Sequence, residues 1–352
     1  MVEESPQSRC SAIELFEVVW CWSRGGRRVD RSPKMHAMLT STDVDFDPAA
    51  AMPELALLRS ALGRQDWAAA RAVLDAAEPA LRTQLIRDGA EVPGVEGLLW
   101  QVHAQEPEDT AAAAMLGAYL VKTGWAIRTT ARASHVSREQ FAALRDWLCR
   151  AEQVLIEAAA RNPADCAVWV ERLPTARGLQ LGLSESRRRY DRLASVDPHH
   201  LPGQFHMVQQ LCPKWSGSWE QAHAFARECM LAAPAGSLQG GLVAEVHLEQ
   251  WLDLEGGAAG ERYLLAEPVQ TQLYEAAHRS VWHADFRQAT GWVRVASVFA
   301  MLFSLVGDEP AARRLFVALG RVGSEYPWQY FANPSEQFRI RRARALAQGE
   351  RR

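Results

Sequence analysis

The loop from Leu211 to Trp219 and the helix that follows it bring together side chains that could bind a charged or aromatic ligand. Pro213 lacks a backbone N–H and ends the preceding helix. Ser218 is a favoured N-cap residue, and Gln221, three residues later, completes a capping-box pattern. The segment therefore predicts a tight turn that leads directly into a new helix.

Three side chains on this helix follow one another at four-residue spacing. Trp219, His223 and Arg227 therefore lie along one edge of it, close to Lys214 and Trp215 in the loop. A helix N-terminus also favours a negatively charged group. One interpretation is a pocket for an anionic or aromatic group, surrounded by these five residues. The other, which we favour because large aromatic side chains serve packing more often than ligands, is a loop held by two tryptophans with a solvated lysine.

Histidines are frequent in this part of the chain, which raises the question of a metal site. The possible ligands are His199, His200, His206, His223, His247, Cys212 and Cys229. Structural zinc needs four converging donors, usually paired at short spacing, and the sequence has neither such pairs nor an H-E-x-x-H motif. We therefore expect no metal, and we expect His247 to be a hydrogen-bonded core residue.

Motifs for cofactor binding or covalent catalysis are not found in the sequence. The glycine-rich stretch 255–260 lacks the Lys-Ser/Thr of a phosphate-binding loop and is predicted to be a turn. Cys149 and Cys166 have no evident base beside them. The sequence accordingly predicts no cofactor and no catalytic residue.

Charge and composition narrow the classes of partner. The 352 residues carry a formal net charge of −3, so nucleic acid is not favoured as a partner. The basic runs Arg187–Arg189 and Arg339–Arg344 are predicted to be solvated. Only Lys34, Lys122 and Lys214 are lysines among 39 basic residues, a bias typical of GC-rich bacterial genomes.

Cysteine usage and hydropathy give an expected location. The six cysteines form no C-x-x-C pair, and a chain of this length needs no disulfide framework. No apolar run reaches the ~20 residues that span a bilayer, and the acidic start differs from a secretory signal. We expect a cytoplasmic protein with no membrane span.

The spacing of three prolines predicts the architecture that positions these side chains. Pro163, Pro198 and Pro234 stand 35 and 36 residues apart, each in a short turn between two stretches with helical apolar spacing. A period near ~34 residues is the length of one helix–turn–helix repeat. Such units stack to bury their apolar faces, so we predict an all-α fold with essentially no sheet.

The predicted organisation has three parts. Residues 1–45 are expected to be a disordered or mis-assigned extension, 46–335 a single helical-repeat domain, and 336–352 a basic C-terminal helix or tail. The predicted helices are 53–62, 67–77, 111–122, 138–161, 164–173, 184–195, 199–211, 219–232, 238–254, 262–283, 290–305, one beginning near residue 310, and 337–348. Turns are predicted at 123–124 and 256–260.

Residues 47–319 resemble a tetratricopeptide-like α-solenoid. The turn from Gly63 to Trp67, followed by spaced alanines and leucines, is similar to the inner turn of a tetratricopeptide hairpin. Trp67, Trp125 and Trp219 stand near the start of predicted second helices, where that family often has an aromatic residue. The resemblance implies a right-handed array of antiparallel helix pairs with a curved inner surface.

A shorter resemblance covers the loop described first. Residues 212–218 read Cys-Pro-Lys-Trp-Ser-Gly-Ser and are followed by Glu220 and Phe225. This is similar to a Pro-Lys-Trp-Gly-Gly-Ser motif in an uncharacterised bacterial helical domain family. The resemblance implies a helical fold and no particular activity.

In solenoids of the tetratricopeptide kind, the first helix of each pair lines the inner surface. The resemblance therefore implies a scaffold that binds a protein or peptide there. The residues it nominates are Trp169, Arg172, His206, Gln209, Gln210, Lys214 and Trp215. The alternative is a small-molecule sensor or an enzyme with a pocket around His206, Lys214 and His223.

Overall fold

The computed structural model describes residues 44–129 and 135–347, and their regular secondary structure is helical. Only one isolated bridge, between Asp45 and Val322, is of the β type in this part of the chain. Residues 1–43 of the extension predicted for 1–45 therefore lie outside the described residues.

Sixteen α-helices occur in the described residues. In the first half these are α1 (Pro53–Gly63), α2 (Trp67–Ala76), α3 (Pro79–Gly89), α4 (Val95–Gln105), α5 (Thr110–Arg128), α6 (Arg138–Arg161), α7 (Cys166–Gly178) and α8 (Leu183–Ala194). In the second half they are α9 (Leu201–Leu211), α10 (Trp219–Ala232), α11 (Gly240–Asp253), α12 (Gly257–Leu265), α13 (Glu267–Arg279), α14 (Trp292–Leu305), α15 (Glu309–Leu319) and α16 (Pro334–Ala347). Short 3₁₀-helices include Pro48–Ala50, Pro213–Trp215 and Trp328–Tyr330.

The helix starts follow from local sequence chemistry. The Asp66, Ser218 and Asp308 side chains accept hydrogen bonds from backbone N–H groups in the first turns of α2, α10 and α15. Two capping aspartates are buried and also join helices. Asp109 caps α5 and accepts from Trp67 of α2, whereas Asp165 caps α7 and pairs with Arg82 of α3. Capping thus fixes both where a helix begins and which neighbour it meets.

The proline punctuation predicted from the sequence is confirmed. Pro163, Pro198 and Pro234 lie between α6 and α7, between α8 and α9, and between α10 and α11. Because proline lacks an N–H and restricts the residue before it, each one prevents the preceding helix from continuing into the next.

Alternate helices form a continuous row of contacts. α1, α3, α5, α7, α9 and α11 each contact the next alternate helix, and α11 also contacts α14. We refer to the seven helices α1, α3, α5, α7, α9, α11 and α14 as the inner row. α3 additionally contacts α7 and α9, so the row curls back on itself. This curl brings charged residues that are far apart in sequence into one space.

The two ends of the described chain also meet. The Asp45 N–H donates to Arg321 O at 2.7 Å, and the Gly323 N–H donates to Asp45 O at 2.7 Å. Phe46 packs edge to face on Phe338 of α16, with 5.4 Å between ring centroids. Residues 44–46 therefore belong to the helical body, and the chain ahead of α1 packs on α16 and on the segment after α15.

Several predicted boundaries were wrong in the first half of the chain. No turn forms at Thr123-Gly124, because α5 continues to Arg128 and Gly124 lets the Leu144 and Trp147 side chains of α6 pack closely. α7 runs through Pro174 to Gly178 rather than ending at 173. Helices α3 and α4 occupy a stretch to which no helix was assigned.

Two corrections concern the second half. The predicted turn at 256–260 is shorter and lies earlier, at 254–256, and Gly257 already begins α12. Glu255, Gly256 and Gly257 all have positive φ. The single helix predicted over 262–283 is divided into α12 and α13 at Ala266, whose backbone is extended, and Pro268 lies in the first turn of α13, where its missing N–H is tolerated.

The basic run in α8 was also misjudged. Arg189 is buried, and its guanidinium pairs with Glu152 of α6 and Glu185 of α8. Arg189 is buried because it pairs with Glu152 of another helix, and the spacing of residues along α8 does not reveal that pair.

Candidate functional site

The inner row and the segment after α15 enclose a partly open cavity of about 330 Å³. Its polar lining consists of Gln84, Arg87, Arg177, His206, Gln209, Lys214, Glu245, Glu249, Thr290, Arg294, Tyr326 and Tyr330. Its apolar wall is formed by Leu201, Pro202 and Phe205. Small-molecule sites typically measure ~300–1,000 Å³, so this cavity has room for one small ligand.

Helix α3 places Arg87 between a carboxylate and a histidine. Its Nη1 donates to Glu171 Oε1 at 2.6 Å and lies 2.9 Å from His206 Nε2. Because arginine can only donate, His206 accepts at Nε2 and the neutral ring carries its hydrogen on Nδ1. Burial, then the positive charges of Arg87 and Arg177, lower the pKa of His206 well below its ordinary value. The imidazole is therefore neutral at pH 7.

Arg177, near the end of α7, sits against two indole rings. Its Cζ is 5.7 Å from the ring centroid of Trp125 and 5.7 Å from that of Trp215. Its one hydrogen bond within the described residues runs from Nη1 to His206 O at 3.4 Å. Burial, then the charge of Arg87, lowers the pKa of Arg177 to about 10, so it remains a cation at pH 7.

Helix α11 supplies two buried carboxylates one turn apart. Glu249 Oε2 accepts from Lys214 Nζ at 2.6 Å, and its Oε1 accepts from Gln209. Lys214 is nearly half exposed, whereas Glu249 is buried. The lysine therefore neutralises a carboxylate that the helix alone would leave buried and uncompensated.

The second carboxylate is Glu245. Its Oε1 accepts from Arg294 Nη2 at 2.7 Å and from the Tyr326 hydroxyl at 2.5 Å. The Arg294 Cζ lies 3.8 Å from the Tyr326 ring centroid and 4.4 Å from that of Phe205. Burial raises the pKa of Glu245, and the nearby Arg294 charge opposes this shift. The arginine is held in place by both ring faces and the carboxylate.

The cavity therefore has one more cationic side chain than carboxylate partners. Glu171 pairs with Arg87, Glu249 with Lys214 and Glu245 with Arg294. Arg177 has no ion pair with any residue in the described ranges 44–129 and 135–347. Such an arrangement can bind an anion, since a partly buried guanidinium without a counter-charge is unfavourable.

Four of the residues nominated from sequence lie in or beside this cavity. His206, Gln209 and Lys214 line it directly. Trp215 stands behind Arg177 and meets Trp125 edge to face, with 5.6 Å between ring centroids. The loop Lys214–Trp215 thus packs and also contributes a charge, so elements of both interpretations of this loop are present.

The other nominated residues do not reach the cavity lining. Trp169 and Arg172 are buried, the indole N–H donates to Pro163 O, and Arg172 pairs with Glu152. The other four are Gln210, Trp219, His223 and Arg227. Gln210 donates to Trp215 O at 2.8 Å, and Arg227 is exposed and paired with Glu275. Trp219 is partly buried against the hydrophobic core.

His223 belongs to a separate polar cluster. Its Nε2 lies 2.8 Å from Gln250 Oε1, which also accepts from the Tyr263 hydroxyl. His247 is buried, with its two ring nitrogens 2.7 Å from Tyr263 and 3.1 Å from Gln272. His247 is therefore the hydrogen-bonded core residue that its position predicted. No group of three or more metal-ligand residues converges in the part of the chain described.

Sequence reasoning missed most of the charged lining. Arg87 lies on a helix that was not assigned, and Arg177 lies beyond a predicted helix end. Glu245 and Glu249 did carry a signal, because they are two carboxylates at i and i+4 in a helix that is otherwise largely apolar. Arg294 carried a similar one, as a lone charge in the apolar helix α14.

Helices able to cross a bilayer are not found in the described residues. Comparison of the chain with protein-family models, with curated proteins and with solved structures gives no match.

Proposed function

We propose that this chain is a tetratricopeptide-like helical-repeat scaffold that binds a small polar ligand in its central cavity. The observation that carries the proposal is the cavity itself, where helices α3, α7, α9, α11 and α14 converge on a space lined by four cations. Charged groups are kept away from water in proteins chiefly where pairing or a ligand compensates them. The cavity is therefore suited to binding a charged ligand.

The solenoid assignment is supported by the pattern of helix contacts. From α1 to α11 each inner-row helix meets the next one two positions along, and a helix between them packs beside both in most pairs, whereas α14 follows α11 three positions along. Stacked helix pairs generate this pattern, and their inner surface is where such proteins bind ligands. The confirmed proline spacing supports the same assignment.

A second candidate is a scaffold that binds a peptide or protein segment. It is favoured by the loop at the cavity edge, where Pro213 and Lys214 are exposed and Trp215 is partly so. A segment lying over this loop could insert one terminal group into the cavity. The volume of about 330 Å³ favours a small molecule, since it limits what can be enclosed.

The test compares ligand binding by the full chain with binding by a cavity-filling variant. Thr290 lines the cavity, so Thr290→Trp should block it, whereas Thr271→Trp places the same side chain on an exposed site of α13. Ligand-observed NMR would be run with small carboxylic acids, phosphates, amines and uncharged amides, and separately with a mixture of short peptides.

We expect one small-molecule class to bind wild type and Thr271→Trp and to lose binding in Thr290→Trp. Peptides alone showing this behaviour would establish the second candidate. Binding that is insensitive to Thr290→Trp, or no binding by any class, would contradict a cavity-binding scaffold.

A further inference from the structure

Two guanidinium groups in the cavity contact His206. Arg87 reaches His206 Nε2 from α3, and Arg177 reaches the His206 backbone oxygen from α7. Each of these arginines uses only Nη1 for hydrogen bonds to the described residues. The Nε and Nη2 donors of Arg87 and Arg177 are therefore available to a ligand.

His206 adds a third donor of the same kind. Its Nε2 accepts from Arg87, so the neutral ring presents an N–H at Nδ1. No hydrogen-bond partner for Nδ1 occurs among the residues described, although the residue lines the cavity. Arg87, His206 and Arg177 thus offer donors only, which is the chemistry that binds an oxyanion.

The charge balance indicates how many negative charges the ligand carries. With Glu171, Glu249 and Glu245 ionised in their pairs, three of the four cations are neutralised. The remaining positive charge is that of Arg177. A monoanion would neutralise it, whereas a dianion would introduce one uncompensated negative charge next to the buried glutamates.

Arg177 is also held in a geometry suited to a flat, two-oxygen group. The rings of Trp125 and Trp215 stand at equal distances of 5.7 Å from its Cζ. A guanidinium fixed in this way loses little freedom when it forms two parallel hydrogen bonds to a carboxylate. Leu201, Pro202 and Phe205 form an apolar wall of the same cavity.

We propose that the ligand is a small monocarboxylic acid whose carboxylate bridges Arg177 and Arg87 beside His206, with its apolar body against the Leu201–Phe205 wall. This rests on the proposed function and narrows it to one chemical class. The size of the body is limited by a cavity of about 330 Å³, which suits a single ring or a short branched chain.

The test uses three probes of matched size and different charge: benzoate, benzamide and phenyl phosphate. Binding to the full chain would be measured by isothermal titration calorimetry and ligand-observed NMR at neutral pH. We expect benzoate to bind, benzamide to bind at least about tenfold more weakly, and phenyl phosphate to bind no better than benzoate, since a hydrogen bond to a charged group contributes about 1.5–3 kcal/mol.

The diagnostic variant is Arg177→Gln, with Arg187→Gln as its matched control. Arg187 is exposed, lies over the Phe225 ring at 5.6 Å and likewise has no ion pair among the described residues. We expect Arg177→Gln to weaken benzoate binding at least about tenfold without lowering the melting temperature, because no carboxylate loses a partner. Arg177→Lys should restore part of the affinity, and Arg187→Gln should leave it unchanged.

Three outcomes would overturn the inference. These are no benzoate binding at millimolar concentration, tighter binding of phenyl phosphate than of benzoate, and benzoate binding that survives Arg177→Gln. If another compound class binds in a manner sensitive to Thr290→Trp while benzoate does not bind, the inference fails and the proposed function stands. If no compound or peptide shows that sensitivity, both fail.

Discussion

At the scale of single residues, Glu152 shows how strongly buried charges depend on their partners. It accepts from Arg189 at 2.5 and 3.1 Å and from Arg172 at 3.3 Å, and all three residues are buried. The two arginines come from α7 and α8, and the carboxylate comes from α6. One side chain therefore joins three helices.

We expect Glu152→Ala to lower the free energy of unfolding by about 3–5 kcal/mol, because it leaves the buried Arg172 without a counter-charge and leaves the buried Arg189 with Glu185 alone. The control is Glu157→Ala on the same helix, an exposed residue paired with Arg161, which should change stability by no more than about 0.5 kcal/mol. Urea denaturation followed by circular dichroism measures both. Equal small effects would show that the buried network is not important for stability.

At the scale of helices, close approach depends on residues that have no side chain. A Cβ on Gly240, the first residue of α11, would lie 2.3 Å from the backbone oxygen of Ala276 in α13. A backbone oxygen cannot move aside as a flexible side chain can. The spacing between α11 and α13 therefore requires glycine at this position, and α11 carries both cavity glutamates.

We expect Gly240→Ala to destabilise the fold by about 1–3 kcal/mol, since α11 and α13 must separate to accommodate the methyl group. Gly97 in α4 is the matched control, because a Cβ there meets nothing within 4 Å. Gly97→Ala should stabilise the protein by about 0.5–1 kcal/mol through helix propensity. Thermal unfolding of the two variants checks the opposite signs, and a stabilising Gly240→Ala would refute the close contact.

At the scale of the whole molecule, the joined ends make this fold differ from an open array. Phe338 of α16 is fully buried and packs edge to face on Phe46, Phe316 and Trp328. In an open repeat array, each unit contacts only its neighbours. Here a substitution in the last helix should also destabilise the first residues of the described chain.

We expect Phe338→Ala to destabilise the protein by about 3–5 kcal/mol and to speed amide hydrogen exchange in 45–52 and α1 as well as in α15 and α16. Val317→Ala, at an exposed site on α15, should alter neither. Hydrogen exchange followed by mass spectrometry resolves these segments. Faster exchange confined to α15 and α16 would mean that the two ends are energetically independent.

Helix punctuation was largely readable from the sequence because its causes are local. Pro163, Pro198 and Pro234 each lack the backbone N–H that a helix needs. Asp66 and Ser218 each cap the helix that begins at the next residue. The turn predicted at Gly124 failed for the opposite reason. Whether a glycine ends a helix or admits a neighbouring side chain depends on contacts with α6, which lie outside its local sequence.

The sequence by itself determined that the described part of this protein is all-helical and where most helices of its second half begin and end, and His206, Gln209 and Lys214, which the family resemblance nominated, line the cavity. Only the tertiary structure decided what surrounds them. Arg87, Arg177 and Arg294 come from α3, α7 and α14, and no local pattern relates positions so far apart. Pairing between charges is set by distance in space, so the unpaired guanidinium of Arg177 becomes visible only once the helices have packed.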